Sequence, residues 1–205
     1  IIVRETSADS FEGIDIALFS AGADISRHFS PIAARSGATV VDNSAAFRMD
    51  PEVPLVVPEV NPEDIRKHRG IIANPNCSTI QMVLVLNPLH QANPIMRITV
   101  ATYQSVSGTG SAAIEELVTE SRQVLEKQKT SPSVYPYQIA FNVLPEIDIF
   151  MENGYTKEEW KMLEETRKIM HVPDLAVSAT CVRVPVMVGH SESVHVEFTS
   201  PMSAA

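Results

Sequence analysis

Apolar and polar positions in the first half of the chain alternate between short continuous runs and helical spacing. Ile14-Asp15-Ile16-Ala17-Leu18-Phe19 predicts a buried strand, closed by a turn at Ser20-Ala21-Gly22. Ile25 to Arg35 has helical spacing and stops at Gly37, while Thr39-Val40-Val41, Leu55-Val56-Val57 and Ile71-Ile72-Ala73 predict three more short strands. Strands that alternate with helices imply parallel pairing, so residues 1–76 are expected to form part of a doubly wound α/β sheet.

The pattern changes after Cys77. A helix is predicted to about Gln91, followed by a long strand from Ile95 to Ser105, a Gly108/Gly110 turn and an amphipathic helix from Ile114 to Gln128. Thr130 to Pro145, with Pro132 and Pro136 inside it, reads as an ordered connecting loop. Thr156 caps a helix to about Met170 with Glu158 and Glu159 in its first turn, and Val177–Val188 and Val194–Phe198 read as strands. Residues 77–205 are thus expected to form an α+β unit with a mixed or antiparallel sheet.

Composition narrows the function classes. The 44% apolar and 20% charged residues are those of an ordinary globular protein, and no run of about 18 apolar residues predicts a membrane span. A formal net charge of −9 argues against nucleic-acid or anionic-membrane partners, though a few Arg and Lys gathered in one pocket still allow an anionic substrate. Two cysteines, Cys77 and Cys181, make no disulfide framework, which fits a reducing cytoplasm. No metal site is expected.

The strongest chemical signal is Asn74-Pro75-Asn76-Cys77-Ser78-Thr79. Asn and Pro end the preceding strand, and Ile80, Met82, Val83, Leu84 and Leu86 supply the apolar run of a helix that starts at the cysteine. A thiol in a first helical turn meets unpaired N–H groups and the positive end of the helix dipole, which favour the nucleophilic thiolate. The ordinary fate of such a Cys is burial as a small apolar residue; polar neighbours on both sides favour the nucleophile. Cys181, with no activating neighbour, is expected in the core.

In order and spacing, the chain resembles the aspartate-β-semialdehyde dehydrogenase family. The likeness rests on Phe19-Ser20-Ala21-Gly22, Val41-Asp42-Asn43-Ser44-Ala45 with Arg48, Pro58-Glu59-Val60-Asn61, Asn74 to Thr79, Tyr103 to Gly108, Glu158-Glu159-Trp160-Lys161, and Arg183 with Gly189-His190-Ser191. The resemblance implies NADPH-dependent reductive dephosphorylation of L-4-aspartyl phosphate to L-aspartate 4-semialdehyde, in lysine, threonine and methionine biosynthesis. It further implies a dinucleotide-binding portion in 1–76, a catalytic and dimerisation portion in 77–205, and a homodimer.

The same resemblance assigns roles. Cys77 would be the nucleophile that forms a thioester, His190 the general acid/base and Gln104 an orienting residue. Arg183 would grip the substrate carboxylate in a bidentate fork, which requires a turn between Arg183 and His190. Arg48, Asn76 and Lys161 would meet the phosphate, and Glu158, one turn before Lys161, the substrate ammonium. Cofactor contacts would fall to Ser20, Ala21, Gly22, Asn43, Ser44, Ser107 and Gly108. No glycine-rich phosphate loop is present in the chain, so NADP(H) rests on the resemblance alone. Taken singly, each residue has an ordinary reading: a structural His190, a solvated Glu158–Lys161 pair, an edge charge at Arg183 and a sheet residue at Gln104. Their joint order outweighs these.

Three rivals remain. N-acetyl-γ-glutamyl-phosphate reductase is the nearest, but it usually follows its cysteine with Tyr-Pro where Ser78-Thr79 stands here. A non-catalytic interaction module would not need to retain Cys77, Gln104, Arg183 and His190, and a cysteine hydrolase would not need the strand-turn at Ser20.

At the ends, Ile1-Ile2-Val3 reads as a strand and Ser200-Pro201 as the N-cap and N1 of a helix, so the chain is expected to be an internal piece of a longer protein. The 205-residue piece alone is expected to be inactive or poorly folded. An assay of phosphate-dependent aldehyde oxidation with NADP checks this, and turnover by the isolated piece contradicts it.

Overall fold

Parallel pairing organises the first part of the chain in the computed structural model, which describes residues 2–203. Strands β1 (Ile16–Phe19), β2 (Thr39–Asp42) and β3 (Ile71–Ala73) form a sheet in the order β1-β2-β3, with Ala17 opposite Val40 and Val40 opposite Ile71. Helix α1 (Ala23–Arg35) makes the crossover from β1 to β2. Gly37, at φ 97°, supplies the left-handed turn after it, a conformation costly for any residue with a Cβ. Helix α2 (Cys77–Ala92) follows β3.

Contacts divide the chain into two units, Ile1–Gln91 with Glu164–Asp174, and Ala92–Leu163 with Leu175–Ala205. In the first unit, Phe11, Phe19, Ala33 and Val40 form one apolar cluster, and Leu55, Val57, Val83 and Ile169 are among the residues of another.

Three expectations for this unit need correction. Strand β1 is half-buried: Ala17 and Phe19 face the first cluster, whereas Ile16 and Leu18 are exposed, so its apolar run does not signal burial on both faces. Leu55-Val56-Val57 is buried yet forms only an isolated bridge from Leu55 to Ala73. The flanking Pro54 and Pro58 lack the N–H groups that would extend a ladder. Ile1 lies outside the described residues, and Ile2 and Val3 are exposed and unpaired with any strand.

In the second unit, β4 (Ile95–Gln104) lies between β5 (Ala176–Arg183), which runs parallel to it, and β6 (Ser191–Phe198), which runs antiparallel. The sheet is therefore mixed, as expected. Strand β5 ends at Arg183 rather than Val188. Past that point Pro185 has no N–H to give, and the chain instead accepts Val106 N–H at Val186 O (2.9 Å) and Ser107 N–H at Met187 O (3.1 Å). At the other end, Pro201–Ser203 carry no helical turn, and the remaining two residues lie outside those described.

Two further helices are α3 (Ser111–Leu125) and α4 (Lys157–Met170). Thr156 and Glu159 cap α4 reciprocally: Thr156 N–H donates to Glu159 Oε2 (2.8 Å) and Glu159 N–H to Thr156 Oγ1 (3.3 Å). Among the described residues no helix is long and apolar enough to cross a membrane.

Two carboxylates of α3 order the proline-rich segment. Glu116 accepts from the N–H of Ser133, Val134 and Tyr135 and from Ser133 Oγ, at 2.6–3.1 Å, while Glu120, one turn on, accepts from Ile139 and Ala140 N–H. The buried N–H donors of Ile139 and Ala140 are satisfied this way. Burial acts to raise the Glu116 pKa, but the donors from Val134, Ser133 and Tyr135 outweigh it and hold the carboxyl below its ordinary 4.5. The stability this contributes is therefore present above pH 4.5 and lost as pH falls through the lower folded-state value. Glu116→Gln, which turns an NH₂ toward those donors, is expected to cost about 2 kcal/mol at neutral pH. Thermal unfolding of both proteins against pH checks this: the difference should shrink on acidification, and a pH-independent difference contradicts it.

Candidate functional site

Cys77 is exposed and occupies the first position of α2. The residue that caps the helix is Asn76, whose Oδ1 accepts from Ser78 N–H (2.9 Å) and Thr79 N–H (3.3 Å), while its carbonyl accepts the first helical bond from Ile80 N–H (2.9 Å). The cap satisfies donors further into the turn and leaves the exposed thiol at the positive end of a 16-residue helix.

Several polar groups behind the cysteine are paired. Asn74 N–H donates to Asp42 O (2.8 Å), and Asn74 Nδ2 to Asn43 Oδ1 (2.8 Å). Asn76 N–H donates to Glu165 Oε2 at 2.6 Å. Arg48, expected to face phosphate, donates Nε to Asn74 O (2.9 Å), Nη2 to Asn43 O (3.0 Å) and Nη1 to Glu165 Oε1 (3.1 Å). Its guanidinium is thus held by the loop.

The residues expected at a cofactor lie at the carboxyl ends of β1 and β2, where parallel sheets bind ligands. Ser20 and Ala21 are exposed, Gly22 (φ 93°) opens α1, and Asn43 Nδ2 reaches Ser20 Oγ at 3.3 Å. Ser44 is different. It is buried, and its N–H and Oγ both donate to the carboxylate of Asp42, so its side chain is part of the scaffold.

In the second unit, Gln104 and Arg183 are register partners at the carboxyl ends of β4 and β5, and both are buried. Gln104 Nε2 donates to Glu158 Oε1 (3.1 Å) and to Thr102 Oγ1 (3.2 Å). Glu158 in turn pairs with Lys161 Nζ (3.3 Å), and Lys161 also reaches Asp148 (2.9 Å). With Glu158 only 5% exposed, this is not a solvated surface pair. Burial acts to lower the Lys161 pKa, but Glu158 and Asp148 outweigh it and raise it above 10.5, so the ammonium stays charged. Arg183 Nη1 donates to Ser105 O at 2.7 Å, and its guanidinium lies 5.9 Å from the Tyr135 ring centroid. Burial at 7% exposure rules out an edge charge.

His190 follows the expected turn, which Gly189 makes at φ 91°. Ser105 N–H donates to His190 Nδ1 at 3.0 Å. A backbone N–H can only donate, so Nδ1 holds a lone pair and the neutral ring carries its proton on Nε2. Burial first, then the charge of Arg183, lowers the His190 pKa below 6.5, with Glu158 acting against them. The ring is neutral at pH 7. Gly108 completes the arrangement: a Cβ built there would lie 3.4 Å from His190 Nε2 and from Arg183 Nη1, so its bare backbone keeps space beside both.

Cys181 is fully buried, and burial pushes its thiol up to about 12. His28 packs edge-on to Phe29, His68 accepts Gly70 N–H, and His171 pairs with Asp64, all ordinary structural uses. Among the described residues no cluster of His, Cys, Asp and Glu is placed to hold a metal. Sequence reasoning overlooked Ser105, which bonds both His190 and Arg183, and Glu165, which bonds both Arg48 and Asn76.

A family model described as semialdehyde dehydrogenase, NAD binding domain, matches residues 1–68, and one described as semialdehyde dehydrogenase, dimerisation domain, matches residues 86–205. The chain is 54% identical over 204 residues to an aspartate-semialdehyde dehydrogenase of Bacillus subtilis, covering 96% of this chain and 59% of that protein. It is 58% identical over 198 residues to that of Aquifex aeolicus, covering 95% and 58%. A crystal structure of aspartate semialdehyde dehydrogenase II complexed with ASA, from Vibrio cholerae, superposes with a TM-score of 0.92 at 52% identity, covering 94% of this chain and 58% of that one. The chain therefore spans less than two thirds of the length of these relatives.

The two thiols differ sharply in environment, which a simple labelling experiment reads. Iodoacetamide at neutral pH is expected to modify Cys77 and to spare Cys181 until the protein unfolds, as followed by peptide mass mapping. Equal labelling of the native protein contradicts this assignment.

Proposed function

The chain belongs to the aspartate-semialdehyde dehydrogenase family, and we propose that the whole protein performs the reductive dephosphorylation of L-4-aspartyl phosphate to L-aspartate 4-semialdehyde with NADPH. The observation that carries this reading is the exposed Cys77 thiol at the first position of a helix capped by Asn76. Such a thiol suits attack on an acyl carbon.

In this reading the Cys77 thiolate attacks the acyl phosphate, the bond from the acyl carbon to the phosphate oxygen breaks, and inorganic phosphate leaves a thioester. Asn76, Lys161 and the fixed positive charge of Arg48 favour the phosphate. Arg183 binds the substrate carboxylate, and Glu158 the ammonium. Neutral His190 presents its Nε2–H as a hydrogen-bond donor to the oxyanion of the thiohemiacetal, and the proton stays on the ring as the C–S bond breaks to release aldehyde and thiolate. Gln104, held by Glu158 and Thr102, orients the reacting carbonyl without ionising.

The cofactor fit rests on features of this chain. Ser20, Gly22 and Asn43 at parallel strand ends suit a dinucleotide, and the side-chain-free backbone at Gly108, beside His190, suits close approach of a flat ring. NADPH, when bound, supplies the hydride that reduces the thioester carbon. Ser107 neighbours Gly108, and Ala21 neighbours Gly22, in these roles. The choice of NADP over NAD follows the family resemblance, as do a homodimer, a cytoplasmic location and a place in lysine, threonine and methionine synthesis.

The test is NADP reduction by the full-length protein with aspartate semialdehyde and phosphate. Cys77→Ala is expected to lower kcat by at least about 1,000-fold, and His190→Asn by roughly 10²–10⁴-fold. Because the His190 pKa is depressed, the imidazole stays neutral as pH falls past 6.5, and the activity that depends on it should be lost only below that value. Full turnover by Cys77→Ala, or activity without nicotinamide, overturns the reading.

A further inference from the structure

Glu165 is a buried carboxylate that the proposed chemistry leaves unused. Only 1% exposed, it accepts Asn76 N–H at one oxygen (2.6 Å) and Arg48 Nη1 at the other (3.1 Å). Arg48 closes the set by donating to the carbonyls of Asn74 (2.9 Å) and Asn43 (3.0 Å). The two ends of Asn74-Pro75-Asn76 are thus held by opposite members of one ion pair. One helical turn beyond Glu165, Lys168 Nζ donates to the carbonyls of Arg48, Asp50 and Val53 at 2.7–2.9 Å, which fixes the segment that carries Arg48.

This arrangement answers a specific electrostatic problem. Asn76 immediately precedes the thiol, so a lone carboxylate on its N–H would oppose both the thiolate and the positive end of α2. Pairing with Arg48 removes the net charge and keeps the short, charge-assisted hydrogen bond. Among the other charges on the segments packed here, Asp42 has Ser26 and Ser44, and Lys168 bonds backbone carbonyls and also feels the charges of Asp50, Asp64 and Glu165. We propose that Glu165 is a positioning residue which, with Arg48, forms a charge-neutral clamp on Asn74–Asn76 and so sets the aim and ionisation of Cys77. The inference rests on the reading of Cys77 as nucleophile.

The pH dependence of Cys77 alkylation by iodoacetamide in the full-length protein tests it, with Cys181 protection reporting an intact fold. In the parent protein the midpoint should lie below that of an ordinary thiol, about 8.5. Glu165→Gln, which keeps volume and an acceptor, should lower the midpoint further by roughly half a unit, and Arg48→Met should raise it by a similar amount. Arg48→Lys, which keeps the charge but not the fork, should leave the midpoint near that of the parent and lower kcat by about tenfold. Opposite shifts support the clamp, since simple loosening of the loop would move both variants the same way. Shifts in one direction, or none, beside a low parent midpoint overturn the clamp alone; a parent midpoint at the ordinary value overturns the nucleophile reading and the clamp with it.

Discussion

The N-terminus of α2 is the constraint on which the rest turns. A helix start exposes N–H donors that nothing inside the helix can satisfy, and whatever satisfies them decides what sits at the first position. Here Asn76 Oδ1 serves Ser78 and Thr79, and the side chain that follows the cap is an exposed thiol. The cap cannot act without its own backbone being held. That explains why Asn74–Asn76 is tied to β2 through Asp42, to the Arg48 segment, and to α4 through Glu165.

The second unit solves a related problem with a sheet. Parallel pairing of β4 and β5 brings Gln104 and Arg183 side by side at the strand ends, and the turn beyond β5 returns His190 to Ser105. Ser105 is the pivot: its carbonyl takes Arg183 and its N–H sets the imidazole tautomer. Carboxylates of α3 perform the corresponding service for the loop bearing Tyr135, against which Arg183 packs.

Much of this was legible in the residues. The alternation of strand and helix, the start of α2 at Cys77, the Thr156/Glu159 cap and the need for a turn between Arg183 and His190 all follow from local rules of periodicity, capping and turn chemistry. What escaped was non-local. The run at Leu55–Val57 has strand composition, but its flanking prolines leave a single bridge, and the Ile16/Leu18 face is exposed although its residues are apolar. Arg48 is spent on three partners that lie 5, 26 and 117 residues away, a pattern no short window can display. Glu165 did leave a trace: Glu158, Lys161, Glu165 and Lys168 recur at helical spacing, with alternating charge, along α4. Spacing alone reads as a solvated face; burial of both glutamates is what makes it a set of internal anchors.

Covalent capture at Cys77 is the central claim, and rapid acid quenching of the full-length protein tests it most directly. Mixed with L-4-aspartyl phosphate in the absence of nicotinamide, the protein should release inorganic phosphate once per site and yield a Cys77 peptide heavier by one aspartyl group, sensitive to hydroxylamine as a thioester is. An unmodified Cys77 peptide from protein that still turns the substrate over would contradict the account.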